Sequence, residues 1–245
     1  MEDFEYAETY FSAKSKVARL RQTITESYGL TELETRNLLI TDILRYSANG
    51  FNIKILPYSD FTSVAAKILS GTLFIDKDND RSLISYNGLM PKKRQNFTKL
   101  HELFHRLQYQ NGDTYNLQYS DLLEHQGYNE SVILEETEAN YGASLLFCTT
   151  DMLRQKIWKD VSFYRLSAFL GMSADALGIR IINYLCFERK ITHFVADKIV
   201  TDFKNDNNAE IKLALMDDED DPDRQEMLES VYSGVEYTRN FNFDL

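Results

Sequence analysis

The sequence predicts an α+β fold: a small, mostly antiparallel sheet packed on an active-site helix, with a helical region before it and a helical subdomain after it. Three observations carry that expectation. Apolar residues recur at helical spacing up to about residue 48, three short strand-like stretches lie between residues 51 and 86, and helical patterning resumes after Pro91 and continues to about residue 203.

Each segment has its own signal. Val17, Leu20 and Ile24, then Leu38, Leu39, Ile43 and Leu44, fall on a helical stripe, and Asn49-Gly50 supplies a turn. Phe51, Ile53 and Ile55 alternate with polar residues as in a half-buried strand, which Pro57 is expected to stop. Thr72–Ile75 and Leu83–Tyr86 read as two further strands, separated by the turn-rich segment 76–81. Residues 216–223 (MDDEDDPD) read as a solvated acidic linker, followed by a tail carrying Tyr232, Tyr237, Phe241 and Phe243. No internal repeat is present.

Composition narrows the functional classes. A net charge of -11 opposes nonspecific attraction to DNA, which depends on cationic side chains displacing counterions. No apolar run reaches eighteen residues, so no membrane-spanning helix is expected. Glu2, Asp3 and Glu5 have the wrong sign for the basic leader of a signal peptide. Cys148 and Cys186 lie in apolar stretches and form no disulfide framework. The expectation is a cytoplasmic protein with reduced cysteines.

The chemistry concentrates at His101-Glu102-Leu103-Phe104-His105. On a helix, histidines four residues apart project from one face, so both imidazoles can reach one metal ion. Glu102, beside them, can act as general base toward water at that metal. Residues 94–107 suit a helix, with Phe97, Leu100, Phe104 and Leu107 giving an apolar face. The rival reading is a surface helix with two unrelated histidines.

A catalytic zinc takes three protein ligands and keeps one position open. A third histidine six residues after the second is excluded, since positions 108 and 111 are Gln108 and Asn111. The remaining option is a glutamate on a later helix, with an acid or amide four residues on to brace a histidine. Glu136 and Asn140 fit, and Ala143, Leu145, Leu146 and Phe147 follow to anchor that helix. Glu138 and Glu135 are fallback ligands, each requiring another helix rotation and lacking the Asn at i+4. His125, in the polar stretch EHQGYN, reads as a loop residue, and His193 as structural. Leu83–Tyr86 is expected to hold an extended substrate by edge pairing, with Ile84, Ser85 and Tyr86 as contact candidates. The cofactor expected is Zn2+, with Mn2+ as the alternative.

These residues resemble the ImmA/IrrE family of metallopeptidases in three blocks. The first runs from Ser85-Tyr86-Asn87 to Arg94-Gln95-Asn96-Phe97-Thr98, the second is His101–His105, and the third is Glu136, Ala139 and Asn140 followed by Leu145 and Leu146. The resemblance implies a gluzincin-like zinc endopeptidase that cleaves helix-turn-helix repressors of phages, mobile elements or stress regulons. It places the zinc ligands on His101, His105 and Glu136, and the general base on Glu102. The family usually has a small residue before the first histidine and Gly before the second, where this chain has Leu100 and Phe104. Met-Pro usually follows the apolar pair, where this chain has Phe147-Cys148. The larger residues imply altered packing around the site.

Residues 164–177 add a helix, a Gly171 turn and a second helix with Ser173 as its N-cap, similar to the helix-turn-helix segment that follows the peptidase domain in the family. The second helix carries Asp175 and Arg180 but lacks the basic and amide cluster of a base-reading helix. Packing or repressor docking is therefore favoured over DNA binding. The expected divisions are 1–48, an N-terminal helical region; 49–150, the zinc metallopeptidase domain; 151–205, the helix-turn-helix-like subdomain; and 206–245, the linker and tail. Two other functions stay open: a non-proteolytic antirepressor, and a DNA-binding regulator with a structural metal.

Overall fold

Tyr10, Ala13, Val17, Leu20 and Ile24 form a continuous buried stripe, and the helix carrying them (α1, Glu2–Tyr28) packs that stripe against the helix that follows the metal motif. In the computed structural model, residues 2–58, 69–122 and 130–215 are described. His125, the acidic run and the aromatic tail lie outside them. Two short helices complete the N-terminal region: α2 (Glu32–Arg36), opened by a reciprocal Thr31–Glu34 capping box, and α3 (Ile40–Gly50).

Among the described residues the sheet has four strands, β1 (Ile53–Tyr58), β2 (Leu69–Asp76), β3 (Arg81–Asn87) and β4 (Gln118–Leu122), in the order β1-β3-β2-β4. β1 runs parallel to β3, whereas β2 is antiparallel to both β3 and β4. Pro57 does not stop β1. Among the described residues β1 pairs only with β3, and an edge strand of this kind tolerates proline. β4 has no counterpart among the expected strands, since the sequence reads as mostly helical after Pro91.

The substrate-strand expectation is corrected here. β3 lies inside the sheet: Ser85 is paired with Leu56 on one side and Thr72 on the other. Ile84 is buried in the core, and the Tyr86 ring lies under the Lys99 ammonium at 4.1 Å. Ile84, Ser85 and Tyr86 thus have no unpaired backbone edge to offer. The edge strands among the described residues are β1 and β4.

Helix α4 (Lys92–Asn111) crosses the sheet, and every residue from Thr98 to Gln108 is buried. A helix buried on all sides needs cover on both faces. The sheet provides one, chiefly through β2 and β3, and α5 (Glu130–Phe147) provides the other. Gly71 on β2 permits the close approach of α4: a Cβ there would lie 2.2 Å from Thr98 Cγ2 and 3.0 Å from Glu102 Oε1.

The C-terminal helices are α6 (Thr150–Trp158), α7 (Phe163–Leu170), α8 (Ala174–Asn183), α9 (His193–Lys204) and α10 (Ala209–Leu215). α7 ends at Gly171 and α8 begins behind Ser173, whose hydroxyl accepts the Ala176 N–H at 3.0 Å. Arg180 on α8 is fully buried: it donates to the Cys148 carbonyl at 2.9 Å, to the Thr150 hydroxyl at 3.1 Å and to the Tyr10 hydroxyl at 3.4 Å. The one cation expected toward the end of α8 therefore ties α1, the α5–α6 junction and α6 together. His193 is exposed in the first turn of α9. No helix among the described residues is long and apolar enough to cross a membrane. Burial pushes the thiols of Cys148 and Cys186 up to about 11, so both are neutral at neutral pH.

Candidate metal centre

α4 brings His101, Glu102 and His105 within about a third of its circumference, and α5 turns Glu136 toward them. His101 Nε2 lies 3.0 Å from His105 Nε2. The Glu136 carboxylate reaches His101 Nε2 at 3.2 Å and His105 Nε2 at 3.5 Å. The three ligand atoms form the one group of metal-binding type among the described residues.

The fit to a metal follows from simple geometry. Ligands at about 2.0–2.1 Å from a tetrahedral ion are separated by roughly 3.3–3.4 Å. The observed separations of 3.0, 3.2 and 3.5 Å bracket that value. Among the described residues, two imidazoles and one carboxylate would occupy three vertices and leave a fourth for water or substrate, the arrangement of a catalytic rather than a structural site. Burial raises the Glu136 carboxyl, but hydrogen bonds and charge from His101 and His105 outweigh this and hold it well below the usual carboxylate range. The ligand is therefore ionised.

Each histidine is held by an aromatic ring and one by an amide. Phe97 stacks on His101 with ring centroids 6.2 Å apart, and Tyr119 of β4 stacks on His105 at 4.3 Å. His105 Nδ1 meets Gln108 Oε1 at 2.7 Å. Gln108 Nε2 in turn donates to the Glu135 carbonyl at 2.9 Å and to Glu138 Oε2 at 2.8 Å. Glu102 is fully buried, against the β2 backbone at Gly71.

These contacts revise two supporting roles. Among the described residues, the brace on His105 comes from Gln108, three positions on along the same helix face, and no hydrogen bond joins Asn140 to either histidine. Glu138 is not in the ligand group. Two residues beyond Glu136 it points to another face of α5, where it bonds Gln108 and pairs with Lys16. Glu135 likewise stays outside the ligand group and contributes its backbone carbonyl. In the sequence Gln108 serves only to exclude a third histidine, although its i+3 spacing from His105 marks it as a neighbour. Tyr119 and Gly71 carried no comparable signal.

The large residue before the second histidine also has its explanation. Phe104 is fully buried, and a Cβ added at Gly142 of α5 would fall 2.0 Å from its ring. The bulk on α4 is thus matched by a missing side chain on α5. Gly142→Ala is expected to destabilise the protein by about 1–3 kcal/mol through overpacking. Thermal or denaturant unfolding checks it, and unchanged stability would mean that Phe104 repacks freely.

A mixed sheet crossed by a buried His-Glu-x-x-His helix, with a glutamate from the next helix beside the two histidines, offers the donor set that a metallopeptidase requires. Over residues 48–181 the chain matches the IrrE N-terminal-like domain, and it belongs to that family of peptidases. The matched stretch contains the whole sheet, α4, α5 and the helices up to α8. No curated protein matches the chain.

Proposed function

We propose that the protein is a zinc-dependent endopeptidase that cleaves a helix-turn-helix transcriptional repressor in the cytoplasm, relieving repression of a phage, mobile-element or stress regulon. The observation that carries the catalytic reading is the convergence of His101, His105 and Glu136 on α4 and α5 beside the buried Glu102. The repressor as substrate is supported by the resemblance in the three sequence blocks described above. The donor set of two imidazoles and a carboxylate suits zinc, whereas manganese favours a larger share of oxygen ligands.

When bound, the ion supplies Lewis acidity, which polarises a scissile carbonyl and makes water nucleophilic near neutral pH. His101, His105 and Glu136 would hold it. Glu102 takes the proton from the attacking water and returns it to the leaving amine. β4 presents a sheet edge beside His105 through Tyr119, and an extended substrate pairing there would lie along the metal centre. The complete burial of Arg180 removes the main candidate for DNA readout from α8.

The test is incubation of the protein with helix-turn-helix repressors from the same genome, beginning with any that is encoded beside its gene. Discrete fragments are expected with zinc, none after chelation, and fragments again when zinc is restored. An intact repressor recovered in complex with the zinc-loaded protein would contradict the proposal and identify a non-cleaving antirepressor.

A further inference from the structure

We infer that Lys16, on α1 and outside the matched residues 48–181, is a positioning residue for the metal ligand His105, acting through Glu138 and Gln108. The inference rests on the reading of His101, His105 and Glu136 as the metal site.

The chain of contacts is closed at every step. An ammonium group has three donors and no acceptor. Those of Lys16 go to Ser12 Oγ at 3.2 Å, to Asp113 Oδ2 at 2.9 Å and to Glu138 Oε1. The other Glu138 oxygen accepts from Gln108 Nε2 at 2.8 Å, and the second hydrogen of that amide goes to the Glu135 carbonyl at 2.9 Å. Both groups facing the Gln108 nitrogen are acceptors only, so the amide can be placed only one way round. Its oxygen must face His105 Nδ1, at 2.7 Å, and an oxygen there requires Nδ1 to carry the proton. The Nε2 lone pair of His105 is thereby left for the metal.

Lys16 is the cation that keeps the Glu138 carboxylate buried against this amide, where it reinforces the orientation that the Glu135 carbonyl also favours. It is largely buried, as is Glu138, so the pair is held in one geometry rather than sampling solvent. Without it, Glu138 would lose its only cationic partner among the described residues and its hold on the amide. With only the Glu135 carbonyl left to hold it, the amide could more readily turn its nitrogen toward His105, a geometry that favours the proton on Nε2 and blocks metal binding. Partners behind a metal-bound histidine are typically worth about 10–100-fold in metal affinity, and Lys16, two contacts further back, is expected to sit near the tenfold end.

The experiment uses the full chain and two readouts: zinc affinity by chelator competition, and histidine tautomers in the metal-free protein by 15N NMR. Lys16→Met is expected to weaken zinc binding about tenfold and to move His105 from the Nδ1–H toward the Nε2–H form. Lys16→Arg, which keeps the charge, should stay within about threefold of wild type. Gln108→Leu should weaken binding at least as much, and Lys16→Met added to it should cost nothing more, because both act through one chain. Wild-type zinc affinity with an unchanged tautomer in Lys16→Met would overturn the inference, as would additive losses in the double variant. If the wild-type protein takes up no zinc, the metal-site reading fails, while the tautomer comparison still decides the role of Lys16.

Discussion

Glu102→Gln is expected to lower peptide hydrolysis by about 10²–10⁴-fold, the range attributed to a positioned general base, and to leave zinc stoichiometry at the wild-type level. The substitution keeps the shape of the side chain, which matters because Glu102 is fully buried and its carboxylate lies where a Cβ on Gly71 would touch it. The amide still fits between α4 and β2 but cannot accept a proton from water. Glu102 is not in the ligand group, so the metal should remain. Turnover of a cleavable repressor, measured alongside metal content, separates the two effects. Wild-type turnover in the variant would remove Glu102 from the mechanism, and loss of zinc would make it a ligand instead.

Glu136→Ala is expected to have the larger effect on the metal itself. It deletes the one anionic ligand and leaves two neutral nitrogens, so zinc affinity should fall by more than the roughly 10–100-fold typical of losing a supporting partner. Because the histidines hold the Glu136 carboxyl well below its usual range, the ligand stays ionised in mild acid. Protonation of Glu136 therefore adds nothing to metal release until the pH falls below the ordinary carboxylate range. Metal content after dialysis, measured across pH, checks both points. Retention of stoichiometric zinc by Glu136→Ala would disprove the assignment of the third ligand. Glu138→Gln, by contrast, should act only through Gln108 and so cost less.

The sequence was legible where chemistry or periodicity is local. The His-Glu-x-x-His spacing, the turn-bounded strand at Thr72–Ile75 and the Ser173 cap each show in a few neighbouring residues, and the structure places them on a helix, a strand and a helix start. What was not legible depends on partners far apart in the chain. β3 was expected at an edge, but its neighbours are fixed by a crossover that puts β1 and β2 on either side of it, which no alternation pattern encodes. β4 was missed because Gln118-Tyr119-Ser120-Asp121-Leu122 is short and polar. The Phe104–Gly142 match and the Lys16–Glu138–Gln108 chain each join residues that are unremarkable by themselves.

The central claim is that one catalytic metal ion sits among His101, His105 and Glu136. Anomalous scattering at the zinc absorption edge, from crystals of the wild-type protein grown with zinc, addresses it most directly. A single peak bonded to His101 Nε2, His105 Nε2 and a Glu136 oxygen is expected, with its fourth position open to solvent or substrate. A peak at other residues, or none at this triangle in a protein that cleaves its substrate, would contradict it.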